Sequence, residues 1–375
     1  MVVVFIRGCS NGEYKFSDFL DVSILVSFIL LSICEVLANI FSAWIMGKCE
    51  DAAKLTENYT ELVNMYCKEN LICYKGKRFP GSCIALRKIE GDPFDFKFKF
   101  DTKNPVYRLP EQIAEHSEEL MKAHAHSKVY NSMSVRLNEC IQKDNKVKLV
   151  YSKTMYFDSL ITNRVMDYPV AGKNIREIYE PGPFLSTLSE SKLSNHLGFN
   201  GFVELADGKI IFVHRNDKVS IGKGMLSTSV SASYKAKYGL NKKRHMTHDT
   251  LGDAIRYEIY DELGISISEK YKLANNIFSF YRDLVEGGKP QFLFYVKIQD
   301  ISSMEFENMF RKKIERETRL GCCREDLKNV DFEYFTLEEL RLFNYKSNSF
   351  LTSDNQTFTM MPSSVVSVIL LLQMT

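Results

Sequence analysis

The stretch GDAIRYEIYDELGI, residues 252–265, carries carboxylates at i, i+3 and i+4: Glu258, Asp261 and Glu262. On a helix turning about 100° per residue, those spacings gather on one side. Residues 251–263 hold an apolar stripe of Leu251, Ile255, Ile259 and Leu263, each four residues from the last. Glu258 borders that stripe, and Glu262 projects inside it. A solvated acidic face would sit opposite the stripe instead. Like charges this close raise one another's pKa, and a bound divalent cation removes that penalty. An all-oxygen ligand set favours Mg²⁺ or Mn²⁺. Spacing alone leaves a plain acidic helix end as the other reading.

The elements that must position this helix follow from the rest of the chain. Its 375 residues are 45% hydrophobic and 26% charged, the composition of an ordinary globular protein long enough for a full core. A formal charge of +2 gives no bulk attraction to nucleic acid, and none is expected as a partner. The nine cysteines form no CxxC pair, which argues against zinc and fits a reducing, cytosolic body.

The run VSILVSFILLSICEVLANIFSAWIM, residues 22–46, has Glu35 as its only charge and Trp44 near its end. At 25 residues it is long enough to span a bilayer, so a membrane-anchored protein with a cytosolic C-terminal body is expected. Residues 50–75 read as a helix continuing from it. FDFKFKF (94–100) alternates as a half-buried strand, and LPEQIAEHSEELMKAHAHS reads as a helix bearing His116, His124 and His126 as solvated side chains. Residues 147–165 begin as a strand and turn polar, a plausible pocket wall. The turn YEPGPF (179–184) marks a boundary.

Beyond that boundary, LGFNGFVELADGKIIFVHRN reads as a hairpin turning at Asp207-Gly208. The carboxylate helix follows, then a strand at 291–298 and an apolar C-terminal helix. The expected class is α+β. Its parts are an N-terminal segment 1–48, a mixed α/β region 49–185 and a domain over 186–375.

The carboxylate segment resembles the Nudix box, G-x5-E-x7-R-E-U-x-E-E-x-G-U. Glu258, Ile259, Asp261, Glu262, Gly264 and Ile265 fall on its E-U, E-E and G-U positions, and Asp249 on its earlier glutamate. Lys243 stands where the first glycine belongs, and Tyr257 replaces the arginine. Isopentenyl diphosphate isomerase, which shares that fold, needs a cysteine before the box. Here the loop offers only serines, Ser227, Ser229, Ser231 and Ser233.

The resemblance implies a Nudix-like α/β/α sandwich and metal-dependent hydrolysis of a nucleoside diphosphate-linked or related small molecule. Glu258 and Glu262 would be the catalytic metal ligands, Asp261 would help hold Mg²⁺ or Mn²⁺, and Arg215 and Lys218 would face phosphates. The other reading is a membrane-tethered Nudix-fold module that binds a nucleotide without hydrolysing it. A homodimer stays open.

Overall fold

A computed structural model describes Cys34 and residues 54–125, 130–216, 219, 221–328 and 330–375. The described residues from Lys54 onward form one compact α+β unit. Its main sheet has nine strands among the described residues. They belong to a chain order of β1 (Leu71–Tyr74), β2 (Lys77–Leu86), β3 (Asp95–Phe100), β4 (Met133–Lys143), β5 (Lys146–Met155), β6 (Gly198–Glu204), β7 (Ile210–His214), β8 (Leu226–Ser227), β9 (Val230–Ser233), β10 (Ile277–Asp283), β11 (Lys289–Lys297) and β12 (Phe332–Phe335). The sheet runs β1-β2-β10-β11-β6-β7-β8, with β9 joining β6 and β12 joining β7. The pair β6 and β11 is parallel, from Gly198 opposite Gln291 to Glu204 opposite Lys297. Strands β3, β5 and β4 make a separate sheet.

Period-2 alternation gives the main sheet two apolar faces. Phe292, Phe294 and Val296 of β11 point into one core, Leu293 and Tyr295 into the other. The first core is closed by helix α1 (His248–Leu263), helix α2 (Ser303–Arg319) and the small sheet. The second is closed by α3 (Pro362–Met374), the expected apolar C-terminal helix. Close packing of the parallel pair depends on Gly201, where a Cβ would stand 1.9 Å from the Phe294 ring. The expected hairpin is present as β6 and β7, with Gly208 in the left-handed conformation its turn requires.

Several expectations change. Residues 50–75 are not one helix: among those described, a helix covers Tyr59–Met65 and the chain then enters β1. The β1–β2 hairpin reaches past the expected boundary near 185, because β2 pairs with β10 at the centre of the main sheet. Regions 49–185 and 186–375 therefore share one sheet. His124 is buried, not solvated, with Nε2 3.0 Å from the Leu160 carbonyl, and burial holds its pKa down at about 4. His126 lies outside the described residues.

The membrane expectation is also corrected. No helix among the described residues is long and apolar enough to cross a membrane. The most apolar, α3, has 13 residues, about 20 Å at 1.5 Å per residue, against a hydrocarbon core of about 30 Å. Its side chains fill the protein's own second core. Apart from Cys34, residues 22–46 lie outside the described residues.

Candidate functional site

Helix α1 begins where the Thr247 side chain accepts from the Thr250 N–H. It stops at Gly264, left-handed at φ 74°, whose N–H donates to the Tyr260 carbonyl. Leu251, Ile255, Ile259 and Leu263 are all fully buried, as their spacing implied. Burying each contributes roughly 1.5–3 kcal/mol, enough to fix the helix's rotation on the sheet. That rotation sets the three carboxylates along one wall of a cavity of about 580 Å³.

Each carboxylate has a different partner. Glu258, 2% exposed, places Oε1 2.8 Å from Lys235 Nζ. Asp261 pairs with Arg324 at 2.5 Å. Glu262 accepts the Ser231 N–H at 3.1 Å. Burial raises the Glu258 pKa, against the pull of Lys235. Burial also pushes Glu262 up to about 7, opposed by Arg324 and reinforced by Glu258. The predicted triad is thus brought together at one cavity, but two of its members are held by cations of the chain itself.

The other predicted residues divide. Arg215 lines the same cavity and donates from Nη2 to the Ile221 carbonyl at 3.3 Å. Lys218 lies outside the described residues. Asp249 does not join the site: it is ion-paired with Lys272 at 2.8 Å, with 71% of its side chain exposed. Lys243 is exposed in a turn closed by Asn241. Tyr257, in the place of an expected arginine, stacks on Tyr238 with ring centroids 3.6 Å apart. The Lys235 ammonium lies 5.5 Å from the Tyr257 ring centroid, so a cation reaches the carboxylates from another element.

Mg²⁺ or Mn²⁺ fits this arrangement poorly. A cation cage needs several free oxygens converging on one point. Lys235 and Arg324 already occupy Glu258 and Asp261. Among the described residues no three His, Cys, Asp or Glu side chains are placed to share an ion.

Sequence reasoning missed half of the cavity. Arg164 comes from the turn Asn163–Val165, and Lys289 and Gln291 from the start of β11. Tyr130 and Tyr156 also line it, from the N-terminal half. The polar stretch after β5 was the one signal for this wall. No family model matches the chain, and no curated protein matches it.

Proposed function

We propose that this cavity binds a phosphate-bearing small molecule without a metal ion, on a Nudix-like α/β/α domain that binds its ligand rather than hydrolysing it. The domain reading is supported by the carboxylate helix ending at a left-handed glycine, by the parallel pair β6 and β11, and by helices on both sheet faces. One observation carries the functional reading. Lys235 and Arg324 hold Glu258 and Asp261, putting two fixed positive charges where a metal ion would otherwise balance the acids.

The cavity's charge then favours an anion. Among the described residues, five cationic side chains line it (Arg164, Arg215, Lys235, Lys289 and Arg324), against five acidic ones. Glu258 is raised and Glu262 is close to half protonated at neutral pH, so the balance tips positive. Arginine and lysine are suited to phosphate oxygens as fork and point-charge donors. The diphosphate of a nucleoside diphosphate derivative is the ligand class the resemblance implies.

Titration calorimetry of the full chain with inorganic pyrophosphate tests this. Saturable 1:1 binding is expected, weakened by about tenfold or more in Lys235→Met and Arg324→Met, or about 1.4 kcal/mol each. Wild-type affinity in both variants would remove the cavity from the reading.

A further inference from the structure

We propose that Cys322 and Cys323, adjacent in the chain just past the end of α2, are a modification site: thiol–disulfide exchange joins them in a ring, and ring closure draws Arg324 away from Asp261 and weakens the anion cavity. The chemistry at the thiols is independent of the anion-binding reading above, and its effect on ligand affinity rests on that reading.

No other two of the nine cysteines are adjacent. Helix α2 gives way at Gly321, left-handed at φ 68°, and the turn presents Cys322 exposed and Cys323 half-buried, both as free thiols. One acceptor holds the reduced pair: the Glu317 carbonyl takes the Cys322 N–H at 3.0 Å and the Cys323 N–H at 3.2 Å. The sulfurs turn to different acceptors. Cys322 Sγ lies 3.6 Å from that same carbonyl, and Cys323 Sγ lies 3.5 Å from the Arg324 carbonyl.

Two routes lead from this turn to the cavity. Arg324 follows Cys323 directly, and its guanidinium pairs with the Asp261 carboxylate. The Glu317 carboxylate lies 3.8 Å from Lys313 Nζ, which donates to the Asp261 backbone carbonyl. The turn therefore bears on Asp261 through both its side chain and its backbone.

The oxidant is a small-molecule disulfide such as glutathione disulfide. The thiolate of Cys322, the more exposed of the two, attacks one of its sulfurs and one glutathione thiolate leaves. The Cys323 thiolate then attacks the Cys322 sulfur and expels the second glutathione. Both thiol protons end on the glutathiones; the cysteine pair loses two electrons and the small disulfide gains them. Ring closure brings the sulfurs to about 2 Å, so at least one gives up its present carbonyl. Adjacent Cα atoms stand about 3.8 Å apart. That is below the usual disulfide span of about 4.4–6.8 Å, so the ring is strained and easily reduced again. The peptide between the two residues is planar, so the strain falls on their φ and ψ angles and on the backbone that carries Arg324.

The test compares the full chain reduced by dithiothreitol with the same chain oxidised by glutathione disulfide, beside Cys322→Ser/Cys323→Ser treated alike. Peptide mass spectrometry should find the peptide spanning 322 and 323 lighter by two hydrogens, closed to alkylation and restored by dithiothreitol. In titration calorimetry the oxidised wild type should bind pyrophosphate about fivefold or more weakly, the lower end of usual coupling between two sites. The serine variant should change by less than about twofold. Tm gives a readout that needs no ligand: oxidation should lower it in the wild type, and by less in Asp261→Asn, which has already lost the ion pair. Absence of the ring overturns the site. A ring that leaves affinity unchanged, a loss of affinity that the serine variant shares, or an equal fall in Tm in wild type and Asp261→Asn also overturns the proposal. Failure of pyrophosphate to bind the reduced wild type overturns the cavity reading instead, and the Tm comparison then decides this inference.

Discussion

Glu258 and Glu262 lie one helical turn apart, yet among the described residues only Glu258 has a cation within bonding distance, and this difference is measurable. Glu262 has a folded-state pKa of about 7, above the usual value of 4.5, chiefly through burial. For an acid shifted upward, stability is fully present below the unfolded pKa and is lost as pH rises through the folded one. Wild-type Tm should therefore fall relative to Glu262→Gln between about pH 4.5 and 7.5, and the gap should then stay level. Because Glu262 is only half-buried, the gap should be roughly 1–2 kcal/mol rather than the full value of the shift. Asp283 shifts in the same direction in both proteins and cancels from the difference. Parallel pH profiles would mean that Glu262 is as well solvated as a surface acid. For Glu258 the partner decides. Lys235→Met strands a carboxylate 3% exposed, while Lys235→Met/Glu258→Gln removes both charges. In urea denaturation at pH 8 the double variant should be more stable than Lys235→Met by roughly 1–3 kcal/mol. A double variant weaker than the single would contradict the pairing.

At the scale of elements, the end of α1 is fixed by one residue. A Cβ at Gly264 would meet Lys313 Cδ at 2.9 Å, and the backbone there is left-handed. Gly264→Ala should cost about 1–2 kcal/mol in urea denaturation. It should also weaken pyrophosphate binding, because Lys313 Nζ donates to the Asp261 carbonyl at the same helix end. Unchanged stability would mean that the cap adapts. This element was legible beforehand because a four-residue apolar repeat and a terminal glycine agree. The β6–β7 hairpin was legible from Asp207-Gly208, and α3 from its unbroken apolar run. The stretch 50–75 misled for an equally local reason. Its apolar residues suit a helix or a short strand, and the Lys75-Gly76 turn, with both residues at positive φ, decides for a hairpin. The cavity's cations were illegible, because their partners are distant in sequence: Arg324 and Asp261 are 63 residues apart. Spacing along one helix shows which acids share a face, but not what faces them.

At the scale of the whole molecule, the central place of β2 in pairing carries a consequence. Removing residues before 186 would uncover the β10 edge, which β2 pairs from Gly81 to Leu86. An uncovered, buried-type edge templates association with other chains. It would also strip Tyr130, Tyr156 and Arg164 from the cavity. The fragment 186–375 should aggregate or melt without cooperativity, whereas 54–375 should melt in one transition. A monodisperse, cooperative 186–375 would restore two independent units. The N-terminal half is thus part of the cavity's wall as well as of the sheet, which no boundary drawn at a Pro-Gly turn anticipates.

The central claim is that the chain's own cations replace a metal ion at the carboxylates. The most direct measurement is calorimetric titration of the full chain with pyrophosphate in EDTA, repeated in excess Mg²⁺, with phosphate release assayed alongside using a nucleoside diphosphate derivative. Binding in EDTA with no added metal, and no metal-stimulated release, are expected. Binding that requires Mg²⁺, or release of phosphate that EDTA abolishes, would contradict the claim.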